Sequence, residues 1–301
     1  MEMKYVVAVD VGGTSIKAAL VSEALEIIAT SSTPTPINDS TGNAVADAIA
    51  TLVKEFEKIQ PISAVGFAVP GALDEENGIS RWTGNLGWVN VPIKDLVTQA
   101  VGLPVAFGND NRSGAVAELR SGAAKEFQQS IFIPIGTGIA AALIIDGKIR
   151  SSDGYAGEIG HLNVGHDIPC VCGLSGCLET ISSASAISRE YEKRTGFAIS
   201  TKEILGRIRS DDHAWQVWEQ AIAYLAVALE DLITILAPEA IIFGGGLSQA
   251  GAALIEPLQV ILSERLTFQR MPQLLIAHYG ANAGTIGCAI MALDLLAKET
   301  A

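Results

Sequence analysis

The chain has 301 residues, 49% of them apolar and 18% charged, and carries a formal net charge of −13 at pH 7. This composition suits a folded protein with ample core and is not that of a disordered polymer. The acidic balance, with no basic run, argues against a protein that grips a nucleic-acid backbone.

The first residues, MEMKYVVAVDVGG, lack the layout of a signal peptide, because the apolar stretch is short and is broken by Asp10 and two glycines. The run VVAVDVGGTSIKAALV (residues 6–21) reads as a β-hairpin: a β-branched apolar run, a glycine–threonine turn, then a second apolar run. A helix follows in AVADAIATLVKEFEKI, where Val45, Ile49, Leu52, Val53, Phe56 and Ile59 share one face. LPVAFGN reads as a strand that leads into a helix starting near Ser113. The run IFIPIGTGIAAALII (131–145) then repeats the pattern of the first hairpin. QVWEQAIAYLAVALEDLITIL is a helix ended by Pro238, and Glu230 and Asp231 within it favour a buried helix over a membrane span. A third glycine turn, IIFGGGLS (241–248), joins a strand to a helix, and TIGCAIMALDLLAK closes the chain. Hairpins followed by helices, repeated twice, imply two related α/β lobes around a cleft. Residues 1–110 are expected to form the smaller lobe, with helix 288–301 packing back on it, and residues 111–287 the larger.

A glycine–threonine turn offers backbone N–H groups with no Cβ in the way, which suits phosphate oxygens, and Thr14 or Thr137 adds a hydroxyl. One such turn could equally be a plain hairpin turn; three of them point to a nucleotide. None fits the GxxxxGK[ST] phosphate loop or the GxGxxG dinucleotide spacing. Asp10 precedes the first turn, and a carboxylate beside a phosphate needs a cation between them, so Mg²⁺ is implied. Pro134 stands where the repeat would put that aspartate, so only one half would hold the metal. Lys17 either reaches a phosphate or is solvated on the hairpin. Asp110 sits at a strand-to-helix junction, where a helix cap or turn residue would also be found.

The stretch HLNVGHDIPCVCGLSGCLE (161–179) holds three of the four cysteines and two of the four histidines. Cys₃His is a structural zinc set, which His161 or His166 could complete with Cys170, Cys172 and Cys177. C-x-C is tighter than zinc-finger spacing, and a disulfide would leave an odd cysteine and a strained bridge. A reduced, metal-free cluster is the remaining alternative. Cys288 reads as a core thiol on the last helix, and Trp215 and Trp218 read as helix packing or a surface patch. His213 and His278 have no companions at ligand spacing.

Together VDVGGTSIK, the pair Asn109–Asp110 in FGNDNRSGAVAE, IGTGIAAALIIDGKI, GEIGHL and CVCGLSGCLE resemble the ROK family of sugar kinases and repressors, from residue 6 to about residue 290. The resemblance implies an actin-like, hexokinase-type duplicated α/β fold and transfer of the ATP γ-phosphoryl to a hexose hydroxyl, with glucose 6-OH first among the candidates. It makes Asp110 the catalytic base and puts Asn85, Asn109, Asp110, Glu158, His161 and Glu179 around the sugar, where Gly71 in VPGAL would let the backbone come close. It assigns Mg-ATP to Asp10, Gly12, Gly13, Thr14 and Lys17, to Gly136, Thr137 and Gly138, and to Gly244, Gly245 and Gly246, the last turn contacting the adenosine. It also selects His161 over His166 as the zinc ligand; the free imidazole nitrogen would then donate to the sugar. Asn111 and Arg112 depart from the small residues expected after the aspartate. Mannose, fructose, allose or an N-acetylhexosamine remain as alternative sugars, and polyphosphate as an alternative donor. A non-enzymatic sugar sensor or repressor is disfavoured by the presence of both aspartates and by the first turn starting at residue 10, and a zinc hydrolase by the closed ligand set. A cytoplasmic homodimer or higher homo-oligomer is expected.

Overall fold

The computed structural model describes residues 3–299, so the last two residues of the expected helix 288–301 lie outside the described residues. The chain divides into two compact units. The first runs to Arg120 and adds Ser151–Ala156 and the segment from Asn282; the second comprises Ser121–Arg150 and Gly157–Ala281. The chain therefore leaves the first unit later than residue 110, carrying the helix after Asp110 with it.

The first unit contains β1 (Tyr5–Val11), β2 (Ser15–Ser22), β3 (Ile27–Pro34), α1 (Asn43–Glu57), β4 (Ala64–Val69), β5 (Ala72–Asp74), β6 (Ile79–Thr83), β7 (Trp88–Val91), α2 (Ile93–Val101), β8 (Val105–Asn109) and α3 (Asp110–Ser121, as far as Arg120). Its five-stranded sheet has the order β3-β2-β1-β4-β8, antiparallel across β1, β2 and β3 and parallel across β1, β4 and β8. Strands β5, β6 and β7 form a small antiparallel sheet.

Side chains alternate across β1, so Val7, Val9 and Val11 join the core beneath α1 and α2, while Val6 and Ala8 face the last helix. The layer facing that helix is built from small residues, among them Ala8, Ala19, Ala64 and Ala68. A Cβ on Gly66 would collide with the carbonyl of Cys288, so the helix lies almost on the sheet backbone.

The second unit contains β9 (Ser130–Pro134), β10 (Ala142–Ile145), β11 (Lys148–Arg150), α4 (Glu179–Ser182), α5 (Ala184–Thr195), α6 (Thr201–Leu205), α7 (Asp212–Leu236), β12 (Ala240–Gly244), α8 (Ala252–Arg265) and β13 (Gln273–Ile276). Its sheet order is β11-β10-β9-β12-β13, with the same senses of pairing. The two units are thus built to one plan, three antiparallel strands followed by two parallel ones. The core of this unit joins Ile131, Ile133, Ile241 and Phe243 of the sheet to Leu225, Leu229 and Ile233 of α7.

Helix α9 (Ala283–Glu299) belongs to the first unit. Residues Gly280–Lys298 have the length and mean hydropathy of a membrane span, yet α9 lies on β1, β4 and β8 and buries Cys288, Ala289 and Ala292 against them. Two local expectations are corrected. Helix α1 ends at Glu57, and Ile59 lies past it, half exposed. Helix α3 begins at Asp110 and not near Ser113. The two tryptophans of α7 differ: Trp218 is buried and donates to the Ala253 carbonyl at 3.3 Å, whereas Trp215 is 47% exposed.

Candidate active site

In the first unit, Asp10 stands near the C-terminal end of β1, paired in register with Ala68 of β4, and Asn109 ends β8, paired with Val69. Asp10, Gly71 and the Asn109–Asp110 junction therefore lie at the C-terminal edge of three adjacent parallel strands, where open α/β sheets bind ligands. Burial pushes the Cys288 thiol on α9 up, and the charges of Asp10 and Asp110 both add to that push. Residues separated by a hundred positions are brought together by strand order alone.

Asp10 is half-buried, and that burial raises its pKa; the charge of Lys17, directly opposite on β2, works in the other direction. Such a carboxylate favours a cation, and its donor type suits Mg²⁺. Helix α9 leaves room beside it, because a Cβ on Gly284 would reach to 3.6 Å from Asp10 Oδ2.

The first glycine turn is held from behind by Thr35, which the sequence did not single out. Its hydroxyl donates to the Gly12 carbonyl at 2.6 Å and its N–H to the Thr14 carbonyl at 3.1 Å. In a trans peptide the carbonyl and the following N–H point in opposite directions, so the Gly13 N–H faces away from Thr35. Not every amide of the turn is available: Gly12 N–H donates to the Ser15 carbonyl at 3.0 Å. Asn85, exposed in the β6–β7 loop, packs on Gly13, where an added Cβ would meet the Asn85 Cβ at 3.2 Å.

Asn109 caps α3. Its Oδ1 accepts from the N–H groups of Asn111 (3.0 Å) and Arg112 (3.2 Å), and its Nδ2 donates to the Gly71 carbonyl at 3.2 Å. This cap explains why the helix starts three residues before Ser113. Gly71 has φ 97°, and a Cβ there would collide with the Trp82 carbonyl, so only glycine fits. Asp110 is the first residue of α3, and its Oδ1 accepts from Asn111 N–H at 2.8 Å. The helix N-terminus favours a negative charge there. Arg112, unexpected from the sequence, is buried, and its Nε donates to Glu75 Oε1 at 3.0 Å.

In the second unit the turn after β9 is held as the first is, by different residues. The Gly136 carbonyl accepts from Ala184 N–H at 2.8 Å, and the Thr137 carbonyl accepts from the Ser185 hydroxyl. The N–H groups of Thr137 and Gly138 therefore face away from the start of α5, while Gly136 N–H turns inward to the Gly138 carbonyl at 3.0 Å. The third glycine turn is laced to this one: Ile135 N–H donates to the Gly244 carbonyl at 3.1 Å, and Leu247 N–H to the Ile135 carbonyl at 3.0 Å. Gly245 has φ 70° and presses on Ile135, whereas Gly136 and Gly246 border open space. Beside these turns lies a cavity of about 640 Å³ lined by Thr137, Ser188, Thr201, Lys202, Gly246 and Gln249. That volume is ordinary for a small-molecule pocket.

Glu158 is exposed and precedes a 3₁₀ turn, Ile159–His161. Gly157 and Gly160 on either side press against the backbone of Ala141 and Ile139, where any Cβ would collide. The GEIG spacing thus clamps this turn to the loop after Gly138. Glu179 begins α4, with Oε2 against Gly138 and Gly160 and Oε1 at 3.9 Å from His161 Nδ1.

One ligand atom from each of His161, Cys170, Cys172 and Cys177 lies within 4.8 Å of all the others. Cys170 Sγ is 3.7 Å from His161 Nδ1, and Cys172 Sγ is 3.6 Å from Cys177 Sγ. Ligands on a tetrahedral zinc stand about 3.5–3.8 Å apart, so these two pairs stand at that spacing, and the donor set suits the ion. Burial pushes the Cys177 thiol up to about 12, and its bonds to the other two thiols push the same way. Burial raises Cys170 as well, whereas a bond from the Leu174 N–H lowers Cys172. Three adjoining thiols ionise together only when a cation supplies the compensating charge. His166 is spent within the loop, with Nδ1 accepting from Ile168 N–H at 3.1 Å and Nε2 at 3.2 Å from the Cys177 carbonyl.

The ROK family profile matches residues 6–295. The glucokinase of Halalkalibacterium halodurans is 32% identical over 95% of this chain and 94% of its own. The N-acetyl-D-glucosamine kinase of Mannheimia succiniciproducens is 31% identical over 94% of this chain and 98% of its own. Among solved structures, a ROK family glucokinase from Streptomyces griseus in complex with glucose and AMPPNP is 30% identical, with a TM-score of 0.85, and the match covers 96% of this chain and 99% of that one. The repeated strand plan, the glycine turns and these matches agree: the chain has the actin-like sugar-kinase fold and belongs to the ROK family.

Proposed function

We propose that the protein transfers the γ-phosphoryl group of ATP to a hydroxyl of a hexose, with glucose the first candidate. The observation that carries this reading is the placement of Asp10 and Asp110 at one edge of the parallel strands, in a chain 32% identical to a glucokinase. Asp110 is assigned as the base: as the hydroxyl oxygen attacks the γ-phosphorus, its proton passes to the Asp110 carboxylate and ADP departs. The remaining work is positioning and charge neutralisation. We assign the sugar contacts to Gly71, Asn85, Asn109, Glu158, His161 and Glu179. The outward N–H groups of Gly13, Thr137 and Gly138 are assigned to phosphate oxygens, with Gly12, Thr14, Lys17 and Gly136 beside them. The cavity beside Gly244, Gly245 and Gly246 is assigned to the adenosine. Asp10 would hold Mg²⁺, which neutralises phosphate charge when bound.

His161, Cys170, Cys172 and Cys177 would hold a structural zinc, which supplies no chemistry to the transfer and pins the loop carrying His161 and Glu179. With Nδ1 turned to the thiols, His161 has Nε2 to donate to a sugar hydroxyl. Four free thiols suit a reducing compartment such as the cytoplasm, and a homodimer or higher homo-oligomer is the assembly we expect.

A second reading, phosphorylation of an N-acetylhexosamine, draws on the 31% identity to an N-acetyl-D-glucosamine kinase. A coupled ADP-release assay over glucose, mannose, fructose, allose and the N-acetylhexosamines, with ATP and then polyphosphate, separates the two. Glucose with ATP is expected to give the highest kcat/KM; no turnover of any hexose would refute both.

A further inference from the structure

We propose that the Glu75–Arg112 ion pair is a positioning device that sets the Asn109–Asp110 junction, an inference that rests on Asp110 being the base. One atom, Glu75 Oε1, accepts both from Asn109 N–H at 2.9 Å and from Arg112 Nε at 3.0 Å. The residue before Asp110 and the residue two after it are therefore tied to a single oxygen that comes from 35 positions earlier in the chain. Asn109 is held at its side chain as well, by the Gly71 carbonyl and the first amides of α3. Rotation of the Asp110 peptide is thus blocked from both sides.

The turn that presents Glu75 is itself fixed. Asp74 accepts from Asn77 N–H at 3.1 Å and from Arg81 Nη2 at 2.9 Å, and the Gly78 carbonyl accepts from Lys94 N–H at 3.1 Å. With Asp74 turned to Arg81, its neighbour Glu75 is turned to Arg112.

The location of Arg112 argues for a role beyond stability. It occupies the first turn of α3, where the helix dipole disfavours a cation, and it is 6% exposed. Its Nη2 is buried without a hydrogen-bond partner among the described residues. A buried arginine at the positive end of a helix is a poor way to stabilise that helix. Its compensation is Glu75, and the common product of the two bonds is the orientation of the segment bearing Asp110. The same arginine is one of the two departures from the small residues that the family resemblance leads one to expect after the aspartate.

The test compares Glu75→Ala, Glu75→Gln and the double variant Glu75→Ala/Arg112→Leu with Asp110→Asn as reference, reading kcat, KM for ATP, KM for sugar and Tm. Small misplacement of a catalytic group costs up to about 100-fold, so Glu75→Ala is expected to lose about 10- to 100-fold in kcat with KM for ATP within about twofold. Glu75→Gln keeps an acceptor for the Asn109 N–H and is expected to fall between, about three- to tenfold down in kcat. The double variant is expected to be no slower than Glu75→Ala, because the pair acts as a unit. A kcat within about twofold of wild type in either single variant overturns the proposal, as does a loss that is equal in both and tracks Tm alone. If Glu75→Ala does not fold, Glu75→Gln decides by the same criterion. Full turnover in Asp110→Asn would instead overturn the assignment of the base.

Discussion

Removal of the zinc proposed for the cysteine–histidine cluster, by chelation or by Cys172→Ser, is expected to weaken sugar binding while leaving KM for ATP unchanged. Seventeen residues run from His161 to Cys177. Closing a free loop of that length costs about 2.5 kcal/mol, growing only with the logarithm of its length. If the whole of that cost fell on sugar binding, KM for sugar would rise about 70-fold, since about 1.4 kcal/mol is tenfold. The loop is partly held without the ion: Val164 N–H donates to the Gly176 carbonyl at 2.9 Å, Cys170 N–H to Leu174 at 2.8 Å, and Leu178 N–H to Leu162 at 2.9 Å. Together these bonds offset about 1 kcal/mol of that cost, which reduces the expected rise to about tenfold. Elemental analysis of the purified protein should find about one zinc per chain, and sugar titrations before and after chelation should show the change. A metal-free preparation with unchanged KM for sugar would refute the argument that the ion pins His161 and Glu179.

Thr35→Val removes the hydroxyl that holds the Gly12 carbonyl while leaving the backbone bond to Thr14. One buried hydrogen bond is worth about 1 kcal/mol, so KM for ATP should rise about fivefold with KM for sugar unchanged; no change in either would show that the turn needs no support from behind. Asp74 offers a pH test. Its bonds from Asn77 and Arg81 lower its pKa from 3.8 to about 2. Because the folded value lies below the unfolded one, its stabilising contribution is complete above about pH 4 and is lost as pH falls toward 2. Acid unfolding of Asp74→Asn should therefore depend less on pH over that window than wild type; identical slopes would remove Asp74 from the account.

The parts of the site that announce themselves in the sequence are those made by neighbours in the chain. The two glycine–threonine hairpins, Asp10 beside the first, and the C-x-C with its following cysteine are local patterns, and strands and turns form where period and turn chemistry put them. What was not legible depends on partners far away. Thr35 looks like any residue near a strand end until it meets Gly12 from 23 positions off. Ser185 reaches Thr137 across 48 positions, and Arg112 finds Glu75 across 37. The start of α3 escapes the sequence for a related reason: the side chain of Asn109 caps the helix, and those bonds set its start at Asp110. Ile59 fits the helical period of α1, but the helix stops at Glu57, before that periodicity could bury it.

The most direct test of the central claim is the kcat of Asp110→Asn beside its sugar affinity by calorimetry. Loss of the base should lower kcat by about 100-fold or more, while the amide leaves sugar affinity within a few-fold of wild type. Wild-type kcat in that variant would contradict the account.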